Sequence, residues 1–219
     1  MPFFKPILPG ATLSDRLFAC LGAAIGIALT MAAGAVLPLS ATDLPLIAAP
    51  VGASAVLAFA VPASPLAQPW PVLGGNVVSA LVGVATIRLI PDTALAAGLA
   101  VSGAILAMSL LRCLHPPGGA VALTAVVGGP AIHAAGWSFA VVPVGMNSLT
   151  LLLVALLFHR MSGHSFPHRP APIPAWTGAA PADIDAALAD MHESFDIARE
   201  DLDALIAHVE RHAATRTAR

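Results

Sequence analysis

Five residues between two apolar segments decide how this chain folds: His115-Pro116-Pro117-Gly118-Gly119. The prolines cannot continue a helix that arrives from the amino-terminal side, and the glycines expose the backbone. At membrane depth, irregular backbone is tolerated only where it is buried in protein or lines a cavity. The motif therefore indicates a site within a membrane domain rather than a plain membrane anchor.

The composition predicts a membrane domain followed by a soluble tail. Hydrophobic residues make up 58% of the 219 residues and charged residues 10%, and the mean hydropathy is +0.85. Between residues 17 and 158 the only formal charges are Asp43, Arg88, Asp92 and Arg112. From 183 to 210, nine acids stand against the single base Arg199. Nothing resembles a basic nucleic-acid surface, so no nucleic-acid partner is expected.

Six stretches have about the 20 apolar residues that a membrane-spanning helix needs. The second and fifth are the weakest, because Pro50 interrupts one and Gly128-Gly129-Pro130 divides the other. These two are either full spans or short helices that enter the membrane from one side. The six stretches are 17–37, 44–61, 72–90, 94–111, 117–135 and 137–158.

The basic residues of the short loops predict the orientation. With six spans and a cytoplasmic amino terminus, only Arg88 would lie outside, and the cytoplasmic side would hold Lys5, Arg16, Arg112, Arg160 and Arg169. If the second and fifth segments were re-entrant, Arg88 would lie inside and Arg112 outside. One arginine would again lie outside, so the basic residues do not decide between the two arrangements. We expect a multi-pass protein of the cell inner membrane, in contact with the lipid bilayer, with both termini in the cytoplasm.

The two halves of the membrane domain carry similar motifs. Residues 50–57 align with 116–123, and 74–81 align with 145–152. With three spans per half, at about 16–90 and 93–160, the halves would have the opposite orientations of a transporter's inverted repeat. The expected fold is an all-α membrane helix bundle of about six segments in two inverted three-helix repeats, covering 1–161.

A linker and a helical tail are predicted after the membrane domain. Residues 162–181 are rich in Pro, Ala and Gly. Residues 182–213 read as a cytoplasmic tail of two amphipathic helices, with apolar positions at Ile184, Leu188 and Met191, and then at Ile197, Leu202, Leu205, Ile206 and Val209. Neither helix buries much alone, so the tail is expected to pack on a partner chain or on the membrane domain. A homo-oligomer, either a dimer or a trimer, is expected.

Two predicted helix starts carry the main candidate binding groups. Proline suits the first helical turn, and the free N–H groups and dipole of a helix start favour an anion. The two starts would meet near the bilayer midplane and hold a small anion between them. The alternative is that the small residues only permit tight helix packing. The residues concerned are Gly52, Ala53 and Ser54 in the first half, and Pro116, Pro117, Gly118 and Gly119 in the second.

Four other polar residues are candidates to line the path: His115, Asn76, Asn147 and Gln68. An imidazole changes charge near neutral pH, and ionisable groups inside membranes mark functional sites. The alternative for His115 is a neutral ring that bonds to a backbone carbonyl. The alternative for the amides is a bridge between helices, a common role of amides in membranes.

No enzyme activity, cofactor or metal site is expected. The sequence has no Ser-His-Asp grouping, Walker loop, CxxC or HExxH, and no acid or nucleophile pair accompanies His115. His159, His164 and His168 lie in a Pro- and Ser-rich stretch with no Cys or acid beside them, which favours a solvated cluster over metal ligands.

At these motifs the chain resembles the HPP family of integral membrane proteins, which is named for the motif found here as His115-Pro116-Pro117. The resemblance extends over roughly 16–160 and includes, in order, the runs Pro50-Val51-Gly52-Ala53-Ser54, Ser64-Pro65-Leu66-Ala67-Gln68-Pro69 and Gly74-Gly75-Asn76. Members are usually described with four spans, which differs from the six counted above. Some bacterial members carry a pair of CBS modules, and the tail resembles the stretch leading into them. Because the sequence stops at Arg219, adenylate sensing through CBS modules is not expected.

The family resemblance also implies a substrate. Plant chloroplast and cyanobacterial members are known as nitrite transporters, which implies a small monovalent anion here, in agreement with the helix-start argument. The expected function is transport of a small inorganic anion, nitrite first among them. The alternatives are an anion channel and a non-transporting membrane scaffold or sensor that acts through its acidic tail.

Overall fold

The computed structural model describes residues 12–34, 44–163, 165–170, 172–173, 178, 180–191 and 196–217, with the backbone alone at 44–48, 191 and 217. Nine α-helices lie within these residues: α1 Leu13–Gly34, α2 Leu44–Ala60, α3 Asn76–Leu89, α4 Thr93–Leu110, α5 Pro116–Val127, α6 Pro130–Ala135, α7 Met146–Ser162, α8 Pro181–Met191 and α9 Arg199–Thr217. Two π-helical turns, Pro71–Gly75 and Ala140–Gly145, lead directly into α3 and α7.

The helices confirm an all-α membrane protein but give four long spans instead of the six expected. The four are Leu13–Gly34, Pro71–Leu89, Thr93–Leu110 and Ala140–Ser162. The two weakest predicted spans are shorter helices, 17 residues in α2 and 12 in α5. At 1.5 Å per residue, α5 covers about 18 Å of a hydrocarbon core of about 30 Å. It ends at Gly128, and Pro130 begins the separate helix α6, so the fifth predicted span is divided where its glycines and proline indicate.

Polar caps set the starts of two long helices. Thr12 and Asp15 form a reciprocal cap, in which the Thr12 N–H donates to Asp15 Oδ2 (2.8 Å) and the Asp15 N–H to Thr12 Oγ1 (3.3 Å). Helix α1 therefore begins at Leu13, four residues before the apolar run alone indicates. Asp92 caps α4 by accepting the Leu95 N–H at 2.8 Å.

Small residues let the helices approach closely. A Cβ on Gly83 of α3 would lie 2.5 Å from the Ala122 carbonyl oxygen of α5. A Cβ on Gly22 of α1 would lie 2.5 Å from the Phe59 ring, and one on Gly26 would lie 2.8 Å from it. Glycine therefore allows these close contacts, and Gly22 and Gly26, one helical turn apart, form a packing motif on α1.

Contacts between helix ends show that consecutive helices run in alternating directions. Arg16, at the start of α1, donates to the Ala60 carbonyl at the end of α2 (2.9 Å). The Ala58 carbonyl lies 2.8 Å from His159 Nε2, near the end of α7. At the far end of the bundle, Arg88 at the close of α3 lies over the ring of Trp137. The first end is called the tail face below, and the second the far face.

In both halves of the sequence, the first helix is more exposed than the last. In the first half, 50% of the span Pro71–Leu89, which contains α3, is buried. In the second half, 39% of the span Ala140–Ser162, which contains α7, is buried. Only 28% of Leu13–Gly34 and 22% of Thr93–Leu110 is buried. Each half therefore places its first helix at the periphery and its third at the centre.

The tail contacts the loop that joins α2 to the π-helical turn before α3. Ser64 of this loop donates to the carboxylate of Asp196 (2.8 Å), and His168 Nε2 lies 2.8 Å from Asp201 Oδ2 at the start of α9. Arg199 pairs with Asp185 of α8 and with Asp203 of its own helix. This agrees with the expectation that the tail packs on the membrane domain, while Leu205 and Val209 of its apolar stripe stay exposed.

Candidate functional site

Two buried amides, at positions that align between the two halves of the sequence, lie at the centre of the bundle. Asn76 directly follows the first π-helical turn, and Asn147 is the second residue after the other turn. A π-helical turn adds a residue to the helical register and is frequent at functional sites. Asn76 is 2% exposed and Asn147 6%. Both side chains therefore stand inside an apolar bundle, where an amide needs partners.

Asn76 bridges three helices. Its Nδ2 donates to Ser54 Oγ of α2 at 3.3 Å and to Ser148 Oγ of α7 at 3.0 Å. Its Oδ1 is buried without a hydrogen-bond partner among the described residues, and so is the Oδ1 of Asn147. A buried polar atom without a partner destabilises a protein. Each of the two oxygens can therefore still accept a hydrogen bond from a further donor.

His115 extends this network toward the tail face. The side chain is 0% exposed. Its Nε2 lies 2.8 Å from Ser54 Oγ, and its Nδ1 lies 2.9 Å from the Leu66 carbonyl oxygen. A carbonyl only accepts, so Nδ1 carries the proton, and in the neutral ring Nε2 accepts from Ser54. The alternative named for His115, a ring bonded to a backbone carbonyl, is therefore present together with a link to Asn76 through Ser54.

The Ser54 hydroxyl has two acceptors within reach. Its Oγ lies 2.8 Å from His115 Nε2 and 3.1 Å from the Pro50 carbonyl oxygen in the preceding turn of α2. A hydroxyl carries one hydrogen and can rotate between acceptors. The hydroxyl hydrogen can therefore bond to His115 or to Pro50, and Ser54 accepts from Asn76 in either case.

A narrow cavity lies beside the two amides. Its free volume is about 10 Å³, room for a single water molecule. The lining carries no formal charge. It consists of Pro50 and Val51 of α2, Asn76 of α3, Val121 and Thr124 of α5, and Phe139, Val144, Asn147 and Ser148 around the start of α7. The cavity thus joins matching residues of both halves, and it must widen before it can hold an anion of several atoms.

The helix start expected at Gly52-Ala53-Ser54 is wrong. Helix α2 begins at Leu44, and Pro50 lies inside it. The six apolar residues before Pro50 form a helical turn, so the missing N–H removes one hydrogen bond without ending the helix. Gly52 is half-buried and Ala53 exposed, and only Ser54 of the three reaches the polar network.

The helix start at Pro116 is confirmed, but it offers few free donors. Pro116 and Pro117 have no N–H, and the Gly118 N–H already donates to the His115 carbonyl at 2.8 Å. A Cβ on Gly118 would lie 2.6 Å from Ser79 Oγ, so this glycine serves close packing. A Cβ on Gly119 would meet only a Val101 methyl, at 3.8 Å. The candidate site is therefore centred on Asn76 and Asn147 and not on Gly118 and Gly119.

Gln68 lies outside the cavity and holds the loop on the tail face. Its Nε2 donates to the carbonyl oxygens of Pro62 (2.9 Å) and Ser64 (2.8 Å), and its Oε1 accepts the His168 N–H (2.9 Å). These bonds use both ends of the amide. The contact expected between Gln68 and substrate is not supported, because the side chain joins the loop to the segment that precedes the tail.

The three histidines near the linker do not share one environment. His159 is buried among Phe59, Phe158 and Phe166, so the solvated cluster expected there is wrong for this residue. His168 contacts Asp201. His164 lies outside the described residues. Within the described part of the chain, no three His, Cys, Asp or Glu side chains come together as metal ligands.

Sequence reasoning missed two polar residues of the cavity, Thr124 and Ser148. Ser148 directly follows Asn147 but aligns with Val77, so the alignment of the two halves did not single it out. Thr124 lies two turns into α5, and its Oγ1 donates to the Ala120 carbonyl at 2.8 Å. Threonine in an apolar helix commonly makes this bond, so its type alone did not distinguish it.

The fold and this cavity define a polytopic all-α membrane protein with a polar centre. The transmembrane region of the HPP family matches residues 8–167. The chain belongs to this family, which confirms the resemblance inferred from its motifs.

Two transmembrane proteins of Dictyostelium discoideum are similar to the chain. One is 44% identical over 114 residues, which is 50% of this chain and 36% of the relative. The other is 41% identical over 114 residues, which is 50% of this chain and 40% of the relative. The matched region thus spans well under half the length of these relatives. No solved structure matches the chain.

Proposed function

We propose that this protein transports a small inorganic anion across the membrane, with nitrite the first candidate. The observation that carries the proposal is the pair of buried amides, Asn76 and Asn147, at aligned positions of the two halves around one narrow cavity. Substrate sites between repeats, near the middle of the membrane, are typical of secondary transporters. The choice of nitrite rests on the family resemblance.

The helix order supports an inverted repeat as the framework of this transporter. Each half contains a long outer helix, a shorter helix and a central helix that starts with a π-helical turn. The outer helix of each half packs against the central helix of the other half. Helix α1 packs on α7, and α4 packs on α3. Together with the alternating helix directions, this exchange is what a two-fold axis in the membrane plane would produce.

The cavity lining suits a weakly charged guest held by neutral donors. An amide can turn over and exchange its oxygen and nitrogen, so Asn76 can accept from Ser54 and Ser148 and present its N–H groups to the cavity. The cavity lining contains no carboxylate that would repel an anion. Because an uncompensated charge in the membrane interior is costly, neutral donors favour a monovalent over a divalent anion.

The small free volume of the cavity favours a carrier over an open channel. Its free volume of about 10 Å³ is smaller than a nitrite ion needs. Its lining includes the buried apolar side chains of Phe139 and Val144. Alternating exposure would require these side chains to move. A channel remains the alternative within transport, and single-channel currents in planar bilayers would distinguish it.

Uptake into proteoliposomes tests transport directly. We expect nitrite uptake by the parent protein and a loss of at least ten-fold in the double variant Asn76→Ala/Asn147→Ala. The matched control is Ser102→Ala/Ser109→Ala, which removes two exposed hydroxyls of α4 that bond only to carbonyls of their own helix. A parent protein without uptake, or a double variant that transports normally, would contradict the proposal.

A matched pair of threonines tests whether the cavity itself lies on the path. Thr124 and Thr86 each donate to the carbonyl four residues earlier at 2.8 Å, but only Thr124 lines the cavity. We expect Thr124→Val to lower nitrite uptake several-fold and Thr86→Val to leave it unchanged. Equal effects would place the path elsewhere.

The second candidate function is a membrane sensor, which the tail contacts favour. The loop that supplies the Leu66 carbonyl to His115 also binds Asp196 through Ser64. A partner that pulls the tail away would therefore disturb the polar network. Cross-linking of the tail to a cytoplasmic protein, in the absence of any flux, would support this function over transport.

The orientation and oligomeric state belong to the same proposal. Arg16, Arg112 and Arg160 belong to the tail face and Arg88 to the far face, which favours cytoplasmic termini in the inner membrane. Cysteine labelling of Ala182→Cys in intact cells tests this. The exposed Leu205 and Val209 favour a homo-oligomer, and truncation after Arg169 should weaken it in detergent. An unchanged oligomer would point to the membrane domain instead.

A further inference from the structure

The far face carries a second, larger pocket whose only formal charge is positive. Its volume is about 230 Å³, and it is lined by Val84, Ile87, Arg88, Ala125, Ile132, His133 and Gly136. The ion pairs found among the described residues all lie in the linker and tail. Asp92, the acid next along the chain, uses its carboxylate to cap α4. The guanidinium of Arg88 thus faces the pocket without an acidic partner in the described part of the chain.

The Arg88 side chain is held in place by the turn after α6. Its Cζ lies 5.3 Å from the centre of the Trp137 ring, a cation–π contact. Gly136 has a φ of 52°, and a Cβ at this position would collide with the guanidinium. Glycine at 136 therefore permits the positive φ of the turn and leaves room for the Arg88 side chain. A guanidinium over an aromatic ring can still direct N–H groups to an anion.

His133 forms the rim of the same pocket. Its Nε2 lies 3.1 Å from the Val126 carbonyl oxygen, to which it donates at the end of α5. This bond ties the short helix α6 to α5 and keeps the pocket open between them. The pocket is thus built from three elements, α3, α5 and the turn around α6, rather than from one exposed side chain.

One apolar cluster contributes side chains both to this pocket and to the inner cavity. Ile132 lines the outer pocket and Phe139 lines the inner cavity, and each is 1% exposed. Both belong to one apolar cluster with Val84, Val121, Ala125 and Val144. An anion bound at Arg88 would therefore lie next to this apolar cluster.

We propose that the pocket around Arg88, His133 and Gly136 is a binding site for small inorganic anions at the far face, where it serves as the outer vestibule of the transport path. The vestibule role rests on the proposed transport function, whereas anion binding does not. The chemistry is an oxyanion or halide held by the guanidinium. A soluble anion and the phosphate of a lipid headgroup share this chemistry, and the experiment separates them.

Quenching of tryptophan fluorescence by iodide tests the site without transport. In the background Trp70→Phe/Trp176→Phe, Trp137 is the only tryptophan of the three in the sequence. In maltoside micelles, we expect Arg88→Gln to lower the iodide quenching constant about two- to four-fold, the local enrichment that one unit charge gives at this distance in salt. Quenching by neutral acrylamide should not change. The matched control Arg160→Gln removes a charge from the opposite end of the bundle and should have no effect.

The outcomes separate the site from the transport function. Unchanged iodide quenching in Arg88→Gln, or a parallel fall with acrylamide, overturns the anion site. An Arg88 effect that is present in micelles and lost in phosphatidylcholine vesicles assigns the pocket to lipid headgroups and overturns the site for soluble anions. If the parent shows no nitrite uptake while the Arg88 effect persists, the proposed function fails and the anion site stands. If both hold, Arg88→Gln should raise the apparent KM for nitrite with little change in maximal rate.

Discussion

The two halves of the membrane domain place the same proline motif in different local structures. Pro50 lies in the interior of α2, whereas Pro116 begins α5. The difference follows from the residue before each proline. His115 is extended, with φ −142° and ψ 106°, and its ring is held by Ser54 and by the Leu66 carbonyl. Ala49 has no side chain that could make such bonds, so the helix continues through it. A single buried histidine thus decides where one half begins its short helix.

The halves also differ in how tightly they close around their π-helical turns. A Cβ on Gly75, which ends the first turn, would lie 2.6 Å from the Cys113 carbonyl oxygen and 2.7 Å from His115 Cβ. A Cβ on Gly145, which ends the second turn, would meet the Ala140 carbonyl oxygen at 3.2 Å. The first half is thus packed against the His115 motif, and the second half has room to adjust.

The largest expected effect follows from this difference in packing. We predict that Gly75→Ala destabilises the protein by about 3 kcal/mol or more, because the backbone of the Cys113 turn must move. Gly145→Ala should cost less than about 1 kcal/mol. Unfolding by SDS in mixed micelles measures both variants. Equal losses would show that the halves close equally tightly.

The next prediction asks whether His115 has a role beyond packing. His115 and His159 are both buried, and each has a ring nitrogen on a backbone carbonyl. We predict that His115→Ala and His159→Ala each cost about 2–3 kcal/mol, through lost hydrogen bonds and a cavity. Only His115→Ala should also lower nitrite uptake per folded molecule, because only His115 reaches Asn76 through Ser54. Normal uptake by folded His115→Ala would return the histidine to a structural role.

Local patterns in the sequence predicted much of this fold, and long-range contacts supplied the rest. The apolar runs predicted the long helices, and the prolines and glycines predicted where α5 begins and ends. The alignment of 74–81 with 145–152 paired Asn76 with Asn147, and both amides line one cavity. The sequence did not predict that Ser54 would bond to His115, because 61 residues separate them. Nor did it predict that Pro50 would stay helical, since the aligned Pro116 follows a histidine with long-range partners and Pro50 follows an alanine.

The smallest expected effect tests the two-fold relation between the halves. Asn76 donates to Ser148, the residue after Asn147. The residue after Asn76 is Val77, so a two-fold axis would place Val77 opposite Asn147, whose Oδ1 has no partner among the described residues. A Cβ on Gly145 would lie 3.6 Å from a Val77 methyl, which puts Val77 against the second π-helical turn. The substitution Val77→Ser would then give Asn147 the hydroxyl partner that Asn76 already has.

Val77→Ser should therefore destabilise the protein less than Val78→Ser, its half-buried neighbour on α3, which packs against a different cluster. Both variants lose the same apolar groups, but only Val77→Ser would gain a hydrogen bond across the axis. Such bonds contribute about 0.6 kcal/mol on average in membrane proteins, so we predict a difference of about that size in SDS unfolding. Adding Asn147→Ala to each variant should abolish the difference. If Val77→Ser costs as much as Val78→Ser, or if the difference survives Asn147→Ala, then Val77 does not face Asn147 and the two halves are not related by this axis.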